Sequence, residues 1–146
     1  MRGPSLIFRH FIVLVCFATI CPRTVCFAQS LKDSYSKQQL MIPMRDGVKL
    51  YTVVYAPKDT SRKYPIIMNR TPYSVGPYDK ESLPGRLGPS SLFSQAGYIF
   101  VYQDVRGKFM SEGEFVNVRP EKEVHANINE IDEATDTYDT IDYLIH

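Results

Sequence analysis

The sequence predicts an α/β fold whose sheet is incomplete, and three features carry that prediction. Two short apolar runs, "YPIIMN" and "YIFVYQDVRG", read as strands covered on both faces. The stretch "EIDEATDTYDTIDYLIH" has helical spacing, and Asp46-Gly47 marks a tight turn between two β-prone segments. Covered strands alternating with helices build a parallel sheet flanked by helices, and here the sequence stops where the next strand is due.

The first thirty residues are of another kind. Arg2, Arg9 and His10 precede the apolar stretch "FIVLVCFATI", and small residues surround Ala28. This layout predicts a secretory signal peptide over 1–28 and an exported protein, periplasmic or extracellular. Phe11 to Ile20 is well short of the roughly 20 apolar residues that span a bilayer, and Pro22 and Arg23 interrupt any extension. Cys16, Cys21 and Cys26 all lie in this segment, so the exported chain carries neither a disulfide framework nor a thiolate metal site.

Residues 29–37 are polar and rich in Ser and Lys, which predicts a disordered arm. A hairpin follows from about Gln38 to Ala56, turning at Asp46-Gly47. After a charged loop comes "YPIIMN", read as an interior strand. Residues 74–90 are too rich in Gly, Pro and Ser for a long helix, but "SSLFSQAG" offers Ser90 or Ser91 as a cap and Gly97 as a stop. The second apolar strand ends at Asp104, and a long polar loop leads to the last helix.

In that helix Ile131, Ala134, Tyr138, Ile141 and Ile145 share one face, and Asp132, Glu133 and Asp136 crowd the first turns, where the helix dipole favours negative charge. A solvated face accounts for Asp136, Asp139 and Asp142 without a metal or general-acid role.

A net charge of +1 leaves no electrostatic footprint for nucleic acid. A serine hydrolase built on an α/β sheet carries its nucleophile in G-x-S-x-G, followed by an acid and a histidine. No such pentapeptide occurs; Ser90, Ser91 and Ser111 read as cap and turn residues, and His10, His125 and His146 assemble no triad or metal set. What the sequence does offer is half of an oxyanion site. The second donor of that site comes from the loop after the third strand, and here this loop is "RTPYS". Pro72 stiffens its base, so Tyr73 is either a packing residue at a strand end or a phenol donor to a reaction site.

Four stretches in order, "IPMRDGVKLYTVVYAP", "NRTPYS", "QDVRGKFMSEGEFVNVRP" and "DEATDTYDTIDYLI", resemble the N-terminal part of the α/β-hydrolase domain in the cocaine-esterase and α-amino-acid ester hydrolase group, the X-Pro dipeptidyl-peptidase-like family. The likeness runs from about Gln39 to Ile145. It implies a serine hydrolase of esters, amides or short peptides that needs no cofactor or metal. It also implies that Tyr73, in the T-P-Y motif, serves the oxyanion hole, and that Asp104, Arg106 and Gly107, in the D-x-R-G turn, shape the site floor. "GKFMSEGEF" stands where many relatives have "GRGxSEGEF", a departure that favours the amino-acid ester hydrolase branch. By the same resemblance residues 38–146 are a hydrolase domain cut before its nucleophile turn, and the chain alone is inactive. The other expectation is a small secreted β-rich binding module whose ten tyrosines form a ligand surface.

Overall fold

The computed structural model describes residues 30–117, 119–124, 126–127 and 129–146. The expected signal segment with its cysteines, and His125, lie outside them. The elements are α1 (Leu31–Ser34), β1 (Tyr35–Pro43), β2 (Lys49–Pro57), β3 (Ile66–Thr71), α2 (Ser91–Gln95), β4 (Ile99–Asp104) and α3 (Glu133–Ile145). They form an α/β fold around one four-stranded sheet of order β1-β2-β4-β3. β1 and β4 each run antiparallel to β2, and β3 runs parallel to β4.

The hairpin closes at Asp46-Gly47 as its chemistry requires. Gly47 takes φ +86°, a left-handed value that costs glycine nothing, and the Met44 N–H donates to the Val48 carbonyl at 2.8 Å. β2 is buried from Leu50 to Tyr55 because both of its faces are covered. Tyr51, Val53 and Tyr55 join Tyr35, Val75, Leu87 and Phe100 under the loop that carries α2. On the other face Leu50 meets Ile42 and Met44, with Leu144 of α3 beside them. Each fully buried apolar side chain of this size contributes about 1.5–3 kcal/mol of transfer free energy.

Two expectations, the arm at 29–37 and the outward face of the last helix, are corrected. Residues 31–37 are not an unstructured arm: Ser30 caps α1, and β1 begins at Tyr35, only 3% exposed. The Tyr35 hydroxyl donates to the carbonyls of Ser94 (3.0 Å) and Tyr98 (2.9 Å), so one amphipathic ring anchors a polar stretch. The Ser/Lys-rich composition hid that anchor.

Among the described residues β3 pairs only with β4. Ile66 at its start is 42% exposed.

α3 turns its polar side to the sheet. Thr135, Asp136 and Thr140 are buried, whereas Tyr138, Ile141 and Ile145 are exposed. The reason lies on the sheet, which presents Arg106, Arg70 and Gln103 to this helix. Buried charge and amide demand hydrogen-bonding partners more strongly than isoleucine demands cover.

Candidate active site

In parallel α/β sheets ligands gather at the carboxyl ends of the strands. Here that edge carries the loop after β3, with Tyr73, and the loop after β4, with Arg106 and Gly107. A cavity of about 800 Å³, lined by Tyr35, Pro57, Arg62, Tyr64 and Gly97, opens near the opposite ends of the same strands. No group of three or more His, Cys, Asp or Glu side chains converges among the described residues.

Tyr73 is 86% exposed, so its phenol stands clear of the core. Its N–H donates to Thr71 Oγ1 at 3.1 Å, and the chain then bends through Ser74 at φ +82°. That left-handed value is strained for a serine.

Asp104, the last residue of β4, has no exposed surface. Its carboxylate accepts from the Val75 N–H (3.1 Å), the Tyr78 hydroxyl (3.0 Å to Oδ2) and the Met110 N–H (3.4 Å). Burial pushes its pKa above the ordinary 3.8, against the opposing pull of those three donors. One carboxylate thus holds both loops of this edge. The Asp104 carbonyl also accepts from Ser111 Oγ at 2.6 Å, and Ser111 Oγ accepts from the Tyr51 N–H at 2.8 Å, a structural role for that serine.

Arg106 faces away from the loop edge. Its guanidinium donates to Asp136 (2.6 and 3.1 Å) and to Asp46 (2.7 and 3.2 Å), joining the loop after β4, α3 and the hairpin turn. Burial alone would lower its pKa; the two carboxylates outweigh this and hold it above the ordinary value. Arg70 extends the network to Gln103 (2.7 Å), Thr137 (2.7 Å) and Glu133 (3.1 Å), and Gln103 reaches Thr52 (2.9 Å) and Thr140 (2.8 Å). Asp136 and Asp139 are therefore pairing residues and not a solvated face: Asp139 is engaged by the Arg45 guanidinium at 2.8 Å and the Arg45 N–H at 2.9 Å.

Gly107 adopts φ +70°, and a Cβ there would lie 2.2 Å from Phe115 N. Its N–H donates to the Glu112 carbonyl at 2.9 Å, folding the loop back on itself.

The structure thus gathers Tyr73, Asp104 and Gly107 at one edge and sends Arg106 inward. Sequence reasoning missed Ser74 and Tyr78. Their hydroxyls lie 3.0 Å apart, and Tyr78 reaches Asp104, yet a serine and a tyrosine four apart in a Gly/Pro-rich loop give no local signal.

Comparison with known proteins places the chain in a family. The family model described as X-Pro dipeptidyl-peptidase (S15 family) matches residues 46–146. A cocaine esterase of Rhodococcus sp. (strain MB1 Bresler) is 33% identical over 106 residues, 73% of this chain and 16% of its own length. A solved α-amino acid ester hydrolase superposes with TM-score 0.64 at 37% identity, covering 90% of this chain and 22% of that one. An aminopeptidase of a marine sediment Thaumarchaeota archaeon gives TM-score 0.60 at 34% identity, covering 98% of this chain and 22% of the other. The chain therefore spans about a sixth to a fifth of the length of these relatives. A match over most of the chain, carried by the same strands and loops that build the edge around Tyr73, shows that the protein belongs to the X-Pro dipeptidyl-peptidase (S15) family.

Proposed function

We propose that these residues form the N-terminal part of an exported serine hydrolase that cleaves esters or amides next to an amino-acid-like acyl group. The observation that carries the reading is Tyr73, an exposed phenol on a short loop at the carboxyl end of β3, in a chain of this family. Relatives named as an esterase, an ester hydrolase and an aminopeptidase share acyl transfer to water, and small esters, amides or short peptides are the substrates that follow. A self-contained binding module, the other expectation from sequence, has no comparable support.

In this reading a serine from the remainder of the hydrolase domain gives its proton to a histidine of that remainder as its oxygen bonds to the substrate carbonyl carbon, and the π electrons move onto the carbonyl oxygen. The Tyr73 hydroxyl and a backbone N–H donate hydrogen bonds to that oxyanion. Collapse re-forms the carbonyl and breaks the bond to the alcohol or amine, which takes the proton from the histidine as it leaves, and water, deprotonated by the same histidine, repeats the cycle on the acyl-enzyme. Asp104 and Gly107 hold the loop edge, and Arg106 ties the sheet to α3; none of the three touches the reacting atoms.

Tyr73→Phe in the full-length enzyme should slow acylation on the order of tenfold to a thousandfold, as expected for one lost oxyanion donor. Burst kinetics with a chromogenic ester measures it, and an unchanged rate constant sinks the role. The 146-residue chain alone should show no turnover of the same ester. Export is read from residues 1–28, and N-terminal sequencing of the secreted protein should begin at Gln29.

A further inference from the structure

We propose that Tyr78 is a positioning residue for Tyr73: its hydroxyl links the buried Asp104 carboxylate to Ser74 and so fixes the turn that presents the Tyr73 phenol. The inference rests on the oxyanion reading of Tyr73 given above.

The turn after Tyr73 is strained. Ser74 is a non-glycine residue at φ +82°, and such a conformation persists only where the surroundings over-determine it. Three hydrogen bonds do so. The Gly76 N–H donates to Ser74 Oγ at 3.2 Å, Ser74 Oγ lies 3.0 Å from the Tyr78 hydroxyl, and that hydroxyl lies 3.0 Å from Asp104 Oδ2. The direction of the chain is set by its end. With Asp104 ionised, its carboxylate only accepts, so Tyr78 donates to Asp104 and Ser74 donates to Tyr78. The Val75 N–H, 3.1 Å from Asp104 Oδ1, closes the set, so each of the three residues after Tyr73 is tied to this one group directly or through Tyr78.

The Tyr78 ring is itself held, 5.4 Å from the Tyr51 ring and 6.3 Å from the Phe109 ring, so its hydroxyl is fixed from two sides. Tyr73 has no such seat; at 86% exposure its direction follows from the backbone on either side. Pro72 stiffens one side, and the Ser74-Tyr78-Asp104 chain stiffens the other. An oxyanion donor works only when held where charge develops, and a displacement of about 1 Å can cost as much as a hundredfold in rate.

The test is a double-variant cycle in the full-length enzyme, read as the acylation rate constant from burst kinetics. Tyr78→Phe keeps the ring in its seat and removes the oxygen. It should lower the acylation rate constant on the order of tenfold and leave KM within about twofold. Added to Tyr73→Phe, it should cost less than about twofold more, because the donor it positions is already gone. Ser74→Ala should repeat this pattern by an independent cut in the same chain, with thermal unfolding confirming that each variant is folded. Losses that multiply in the double variant, or a Tyr78→Phe enzyme that acylates at the parental rate, overturn the positioning role. A silent Tyr73→Phe overturns the oxyanion reading and this inference together, which separates the two failures.

Discussion

Gly107 shows how much a single residue decides at this edge. Its φ of +70° lies in the left-handed region, and a Cβ would meet Phe115 N at 2.2 Å and the Glu114 carbonyl carbon at 2.6 Å. Both obstacles are backbone, so no rotamer change relieves them. Gly107→Ala should therefore destabilise the protein by more than about 2 kcal/mol in denaturant unfolding; a loss below about 0.5 kcal/mol would mean that the loop after β4 rearranges freely. The residues here differ in how far sequence exposed them. Tyr73 could be singled out as a donor or a packing residue because Pro72 and its place after the third strand are local facts, and the family resemblance then favoured the donor. Asp104 and Gly107 were singled out by the resemblance alone, through the D-x-R-G turn. Ser74 and Tyr78 were not, since their importance lies in a carboxylate 26 residues beyond Tyr78, a pairing that no local pattern encodes.

At the scale of the element, α3 is the informative case, because its existence was legible and its orientation was not. Asp132, read from sequence as a first-turn acid, is its N-cap, accepting from the Thr135 N–H at 2.7 Å in a reciprocal capping box. Apolar spacing chose the wrong inward face, because what α3 meets on the sheet is Arg106, Arg70 and Gln103. Arg106→Met should leave Asp136 buried without its main partner, at a cost of about 3–5 kcal/mol, and Arg106→Met with Asp136→Leu should recover much of that loss. If the single variant unfolds like the parent, the pair does not dock the helix. Asp139 adds a pH dependence. Its burial raises its pKa, but the Arg45 guanidinium and N–H lower it further, so the folded value lies below the ordinary 3.8. The stability from this contact is complete above pH 3.8 and is lost as pH falls through the folded value. Asp139→Asn should cost about 1–2 kcal/mol at pH 7, and the gap to the parent should narrow as pH falls below 3.8. A gap independent of pH would assign the loss to packing. Asp104 has the opposite sign: its raised pKa means stability falls as pH rises through the window above 3.8.

Across the whole molecule the order of β2, β3, α2, β4 and α3 was legible, because these strands carry their own apolar runs and the turns their own Gly, Pro or Asp-Gly signals; α1 and the start of β1 were not, because that stretch is polar. "YPIIMN" has the continuous apolar character of a covered strand, yet among the described residues β3 pairs only with β4 and leaves Ile66 42% exposed. On α3 the outward face carries Tyr138, Ile141, Tyr143 and Ile145, each at least 45% exposed. An unpaired parallel edge and an apolar helix face on one small body are a template for association. Expressed without further sequence, residues 30–146 should form concentration-dependent oligomers, seen as a rising weight-average sedimentation coefficient. The two surfaces can be told apart. Ile66→Lys places a charge on the strand edge, the device by which natural edge strands resist pairing, whereas Ile141→Glu with Ile145→Lys charges the helix face and leaves the edge open. If edge pairing drives association, the first variant sediments as a monomer and the second does not; if the helix face drives it, the results exchange. A parent chain that stays monomeric at high concentration refutes both, and would mean that the buried polar network and the capped hairpin suffice to hold these residues as a solitary fold.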